Sequence, residues 1–212
     1  MSAAIVAKAD RLPHVAHANM RIVIIDDKGA RASVLEDGLH EAGYDDIHVV
    51  PPVGAFVSRI ERLVPDVVLM DLGSPSRDTL EEMLLVSRAL ARPIAMFVDQ
   101  SDDQMISAAI DAGISAYVVD GLRKDRVKPI LELAVRRFTA FARMQAELTD
   151  ARTQLADRKV IDRAKAILMQ QRGLAEPEAY ALLRSAAMNA NKRMAEVAEA
   201  LITAHDLLGG MK

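Results

Sequence analysis

The 212-residue chain contains no cysteine. That excludes a disulfide framework and any thiolate metal site, and it suits the reducing cytoplasm, the expected location. No apolar run approaches the roughly 20 residues that a bilayer-crossing helix needs, so no membrane partner is expected. Residues 1–19 are not expected to act as a signal peptide either. In residues 1–19, Lys8, Asp10 and Arg11 interrupt the apolar stretch before a hydrophobic core can form. This segment is expected to be a flexible arm. His14 and His17 have no carboxylate cluster nearby, and the other histidines are scattered, which favours a polar tail over a metal pair.

A strong charge of one sign is also lacking. The net charge is −3, unevenly spread. From Ala151 to Lys212 there are 10 Lys/Arg against 7 Asp/Glu, a net of +3, which leaves −6 for the rest. A tail this mildly basic permits phosphate contacts without establishing them. It holds one aromatic residue, Tyr180.

What is present is an alternation of strand and helix from Met20 onward. Ile22 to Ile25 is a continuous apolar run, the pattern of a strand buried on both faces. Further strands are expected at Ile47–Val50, Val67–Met70, Ile94–Val98 and Ala116–Val119. The helices between them are expected at about Ala30–Ala42, Pro52–Leu63 and Thr79–Leu90, with a fourth capped by Asp102 or Asp103 and ending at Ala112-Gly113. Five strands joined this way predict an α/β doubly wound parallel sheet. Its working site would lie beyond the C-terminal strand ends, where Asp26, Asp27 and Asp71 fall. Carboxylates converging from separate loops can hold Mg²⁺. No general base or histidine accompanies them, so no catalytic residue is assigned and an enzyme that hydrolyses phosphate esters is disfavoured.

After the sheet, residues 125–157 are expected to form a helical coiled-coil connector. Phe141, Leu148 and Leu155 recur every seven residues, and Met144 and Ala151 follow the first two by three. Arg143, Glu147, Asp150, Arg152 and Asp157 give this helix a charged outer surface, and Arg158 breaks the d series. The pattern suits a parallel dimer seam or one helix packed within its own chain, and a homodimer is the expectation.

Residues 158–212 predict three short helices. Val160, Ile161, Ala164, Ile167 and Leu168 share one face, and Gly173 ends the first helix. Pro177 suits the first turn of the second, flanked by Glu176 and Glu178; Ala179, Leu182, Leu183 and Ala186 are its core positions. A break at Asn189–Asn191 leads to a third helix that buries Met194, Val197, Ala198, Leu201 and Ile202.

The ordered motifs Ala164-Lys165 with Ile167-Leu168-Met169, Ala179-Tyr180 with Leu182-Leu183-Arg184, and Val197-Ala198 with Leu201-Ile202 resemble the ANTAR domain, an RNA-binding antitermination module. Asp162 and Ala166 depart from its pattern, mildly for a helix. The resemblance implies binding to paired hairpins in leader mRNA. The polar residues left off the core become the RNA-binding candidates: Lys159, Arg163, Lys165, Arg172, Arg184, Asn191, Lys192 and Arg193, with Tyr180 either a stacking surface for a base or a packing residue at the helix-helix junction.

About Met20 to Phe138 resembles the receiver domain of response regulators, with the domain itself set at 20–124. Pro65-Asp66-Val67-Val68-Leu69-Met70-Asp71 matches the phosphoacceptor strand, and Pro75 matches the proline of the following loop. The resemblance implies Asp71 as phosphoacceptor and Asp26, Asp27 and Asp71 as Mg²⁺ ligands. Two functional positions depart from it. Val98 stands where receivers carry Thr or Ser, and Asp120 where they carry Lys. Lys28 or Lys124 could supply a compensating charge. These departures favour control without phosphorylation. Together with the run Met96 to Asp103 and the ANTAR-like tail, they resemble the NasT-type regulators of nitrate and nitrite assimilation, which implies control by a nitrate-binding sensor protein. Three alternatives remain: an ANTAR regulator of some other operon, a conventional phosphorylation-activated regulator, and a tail that binds promoter DNA as a helix-turn-helix.

Overall fold

The apolar run after Arg21 forms β1, Ile22–Asp26, in which every residue is buried. β-branched residues on a pleated surface covered on both sides explain why this run is a strand. The same logic gives β2 (Ile47–Val50), β3 (Val67–Gly73), β4 (Ile94–Val98) and β5 (Ala116–Val119). The computed structural model describes residues 20–26, 31–52, 56–73, 81, 85, 87, 90–120 and 122–209. The expected arm 1–19, with His14 and His17, lies outside them, as do Asp27, Lys28 and Pro75. Of the helix expected at Thr79–Leu90, residues 81, 85, 87 and 90 are described, and they are helical.

The chain divides into two units, Met1–Met144 and Gln145–Lys212. In the first, five parallel strands run in the order β2-β1-β3-β4-β5. One face carries Ile22, Ile24, Leu69, Ala95 and Phe97. It is covered by Ala32, Leu35 and Leu39 of α1 (Ala32–Glu41) and by Val127, Leu131 and Ala134 of α4 (Lys124–Arg172). The other carries Val23, Ile25, Val68, Met70 and Met96. It packs against Ile60 of α2 (Phe56–Leu63), Leu90, and Ala109 of α3 (Asp103–Asp111). Each fully buried aliphatic side chain contributes about 1.5–3 kcal/mol, which makes this core the main source of the unit's stability. Asp102 caps α3, its side chain accepting the Met105 N–H at 2.8 Å.

In the second unit, the last part of α4 packs with α5 (Glu176–Ala190) and α6 (Met194–Gly209). Ala164, Leu168, Ala179, Leu183 and Ala198 are buried at its centre. Three of these are fully buried alanines, one per helix, and small side chains let helix backbones approach closely. The ends follow the expected chemistry. Gly173 has φ +66 after α4, Pro177 lies in the first turn of α5, and Asn191 caps α5 in the left-handed region at φ 52. Glu178 Oε2 accepts the Ala175 N–H at 2.9 Å, half of a capping box.

Two expectations are corrected. The boundary at Asp157/Arg158 marks no break, because one 49-residue helix, α4, runs from Lys124 to Arg172. The tail's first short helix is the end of that helix. Between Pro129 and Gly173 there is neither proline nor glycine to stop it. On α5 the buried positions are Ala179, Leu183 and Ala187, whereas Leu182 is exposed and Ala186 only half-buried. A four-residue stride follows the narrow contact stripe of a helix covered on one side.

Candidate functional site

The register of the sheet pairs Asp26 of β1 with Asp71 of β3. Both are strand residues, not loop residues after the strands as expected. The alternation of the pleat sends Asp71 to the face of Leu69, away from Met70 and Leu72. Just beyond it the register with β4 shifts between Asp71 and Gly73, and Gly73 takes a φ of +55. The Gly73 N–H donates a long bond, 3.4 Å, to Asp71 Oδ1.

Asp71 is 1% exposed. Its Oδ2 lies 2.9 Å from Arg31 Nε, yet among the described residues no N–H is aligned on that oxygen as a hydrogen bond. The contact is therefore an ion pair rather than a directed bond. Burial pushes the Asp71 carboxyl above its ordinary value. The Arg31 charge and the Gly73 N–H oppose that rise, and the neighbouring charges of Asp26 and Asp99 add to it. Arg31 also donates from Nη1 to Asp99 Oδ1 at the end of β4. Burial works against the Arg31 charge, but the Asp99 bond and the fields of Asp71 and Asp99 outweigh it and raise its pKa. Asp26 Oδ2 accepts the Ala32 N–H at 2.8 Å, at the start of α1.

Arg31 is the residue of this pocket that sequence reasoning missed. A signal was available. A basic residue at a helix N-cap opposes the helix dipole, so its presence asks for carboxylates elsewhere to hold it. Of the positions expected to compensate, Lys124 pairs with acids outside this pocket. Lys124 Nζ is 2.6 Å from Asp37 and 3.9 Å from Glu41, both on α1, and Lys28 lies outside the described residues. Val98 is buried in the apolar cluster of Val68, Met70 and Met96. Asp120 is exposed, in the left-handed region at φ 48, with its N–H donated to the Val98 carbonyl.

Mg²⁺ takes six oxygen ligands at about 2.0–2.1 Å in an octahedral array, several of them waters and one or two of them carboxylate oxygens. Here Asp71 Oδ2 faces a guanidinium, and Asp26 Oδ2 accepts a backbone N–H. These described residues do not fit the ion, and Asp27 lies outside them. Among the described residues, no group of three or more His, Cys, Asp or Glu is placed to hold a metal.

The structure sorts the tail's polar candidates into two sets. Lys165 is only 14% exposed along its side chain, with Nζ 2.7 Å from both Asp162 and Glu176. Hydrogen bonds to Asp162 and then Glu176 raise its pKa. Arg163 reaches Asp206 of α6 at 3.0 Å. Arg193 bonds Glu196 at 3.1 Å and lies 3.6 Å from Asp157, which holds the α5–α6 turn beside α4. The Glu196 bond, followed by the Asp157 field, raises the Arg193 pKa. These three cations are engaged within the unit. Lys159, Arg172, Arg184 and Lys192 are exposed and form no ion pair with the described residues. On α5, Tyr180, Arg184 and Met188 follow one another at four-residue spacing and so share one exposed stripe. Tyr180 is 42% exposed and Met188 72%. Asn191 and Lys192 come directly after that helix, with Asn191 as its cap. A ring, a guanidinium and a thioether in a row offer flat and polarisable surfaces to unstacked bases.

On α4 the heptad residues Phe141, Met144, Leu148 and Leu155 are exposed large apolar side chains. No described helix is long and apolar enough to cross a membrane.

Residues 22–132 match the response regulator receiver domain family, and residues 149–202 match the ANTAR domain family. The transcriptional regulatory protein PdtaR of Mycobacterium tuberculosis is 30% identical over 182 residues, covering 86% of this chain and 89% of that one. The nitrate regulatory protein of Klebsiella oxytoca is 29% identical over 124 residues, covering 58% of this chain and 30% of that one. A solved signal receiver domain of a modulated diguanylate cyclase from Desulfovibrio desulfuricans is 21% identical, with a TM-score of 0.49. It covers 57% of this chain and 97% of that one.

Proposed function

The chain belongs to the response regulators that join a receiver domain to a C-terminal ANTAR domain, RNA-binding antitermination regulators, and on that premise we propose that it binds paired hairpins in a leader transcript of nitrate or nitrite assimilation genes. Two tails, brought together as a homodimer, grip two similar hairpins and keep a competing terminator from forming. The observation that carries the RNA reading is the exposed stripe of Tyr180, Arg184 and Met188 within the ANTAR segment. Bases splayed out of a hairpin loop stack on such a surface, and the exposed Lys159, Arg172 and Lys192 supply phosphate contacts. The dimer reading is supported by the exposed heptad side chains of α4, whose spacing matches the a and d positions of a two-stranded coiled coil. The nitrate target is supported by the likeness to the Klebsiella oxytoca nitrate regulatory protein.

Control comes from a nitrate-binding sensor protein rather than from phosphorylation of Asp71. Val98 offers no hydroxyl, Asp120 brings no cation, and Arg31 already occupies the charged face of Asp71. The test is a binding titration of purified protein against a two-hairpin leader RNA, a one-hairpin control and a duplex DNA, with and without acetyl phosphate. Tight binding to the paired hairpins alone, unchanged by the phosphodonor, is expected. Binding that requires the phosphodonor overturns the mode of control. Preference for the duplex DNA overturns the RNA reading.

A further inference from the structure

We infer that Arg31 is the resident counter-cation of the acidic pocket, taking the place of a divalent metal and keeping Mg²⁺ out. The Asp71 carboxylate is buried, and a buried carboxylate must either find a cation or take up a proton. The described residue that meets it is Arg31, with Nε 2.9 Å from Oδ2. The same guanidinium donates to Asp99, so one fixed charge spans carboxylates from the ends of two neighbouring strands. Guanidinium suits this role because it is planar, always charged and less strongly hydrated than an ammonium.

The position is unusual for a cation. Arg31 is the N-cap of α1, where the helix dipole repels positive charge and where the side chain makes no capping bond. Asp71 and Asp99 offset that repulsion. Asp26, which pairs with Asp71 in the sheet register, has its Oδ2 committed to the first N–H of the same helix. A metal entering between Asp26 and Asp71 would meet the Arg31 charge within contact distance of the oxygen it needs. The charge balance of the pocket is therefore built into the chain and does not follow the Mg²⁺ concentration.

The inference goes beyond the RNA reading, and its assay contains no RNA, so either can fail while the other stands. Purified full-length protein is titrated with MnCl₂ and followed by water-proton relaxation. Thermal midpoints are then compared with and without about 10 mM MgCl₂ at matched ionic strength. Wild type is expected to show no saturable Mn²⁺ site and no Mg²⁺-dependent midpoint change. Arg31→Gln is expected to gain a saturable site and a Mg²⁺-dependent rise of about 2 °C or more. That gain is lost again in Arg31→Gln/Asp71→Asn. An Arg31→Gln protein that folds and gains no site overturns the inference. So does saturable Mn²⁺ binding by wild type that Asp71→Asn abolishes, an arm that does not require any Arg31 variant to fold.

Discussion

Lys165 Nζ and Glu176 Oε1 lie 2.7 Å apart, tying the end of α4 to the first turn of α5. The lysine that stands within an RNA-binding motif is thus engaged inside its own unit, while Lys159 and Arg184 are exposed and form no ion pair with the described residues. Lys165→Gln is expected to lower the melting temperature and leave the salt dependence of RNA binding unchanged. Lys159→Gln and Arg184→Ala should do the reverse, each reducing the slope of log K against log salt by about 0.7 for a single-stranded contact. Tyr180→Ala should weaken binding by about 1–3 kcal/mol, the usual worth of a base stacked on an aromatic ring. Titrations at three salt concentrations, with melting curves for each variant, separate the two sets. A changed slope in Lys165→Gln would return that residue to the interface.

Gly38 places α1 against the start of α4. A Cβ there would lie 2.9 Å from Val127 Cγ2 and 3.0 Å from the Lys124 carbonyl oxygen. Alanine in a helix interior is favoured over glycine by about 1 kcal/mol, but overpacking costs about 1–3 kcal/mol. The carbonyl is backbone and cannot move aside, so Gly38→Ala is expected to destabilise by about 1 kcal/mol net. Urea unfolding measures it. Adding Val127→Ala should leave the carbonyl clash in place, so the double variant recovers little. An unchanged or raised urea midpoint for Gly38→Ala would contradict the close approach.

At the start of the sheet, Asp46 Oδ2 accepts from Arg21 Nε at 2.9 Å, and its Oδ1 meets His48 Nε2 at 2.7 Å. Burial works to raise the Asp46 pKa, but the bonds from Arg21 and His48 outweigh it and hold the carboxyl below its ordinary value. A carboxylate with a lowered folded-state pKa adds stability above its unfolded value and loses it as pH falls through the folded one. Asp46→Asn should therefore be less stable than wild type at pH 7, by about 0.5 kcal/mol given its partial exposure. The difference should close on acidification below about pH 4. Denaturant midpoints from pH 7 down to pH 3 test this, and a gap that persists or widens in acid would rule out the linkage.

The proposed dimer rests on the exposed heptad side chains of α4. Leu148→Glu puts a charge into an a or d position and should convert a dimer to a monomer in sedimentation velocity, with RNA affinity for the two-hairpin target falling at least about tenfold through lost avidity. Affinity for a single hairpin should stay the same. A dimer that survives the substitution would place the seam elsewhere.

The five strands, their parallel direction and the caps at Asp102, Gly173 and Asn191 could be read from residues close in the chain. An apolar run between turn residues has one good way to be buried, and a glycine or asparagine past a helix end has one good backbone conformation. The motifs of the last helices were legible for the same reason. The boundary at Asp157 was drawn on a change of motif where no helix-breaking residue stood, so α4 passes through it. The charged partners were a different matter. Arg31 meets Asp71 and Asp99, 68 residues away in the case of Asp99, and Arg163 meets Asp206, 43 residues away. A charge has many possible partners along a chain, and periodicity ranks none of them. Packing of the apolar faces brings particular carboxylates to particular cations. The sequence by itself determined the elements and their order along the chain, while the tertiary structure decided which charges meet in the acidic pocket and which are left exposed.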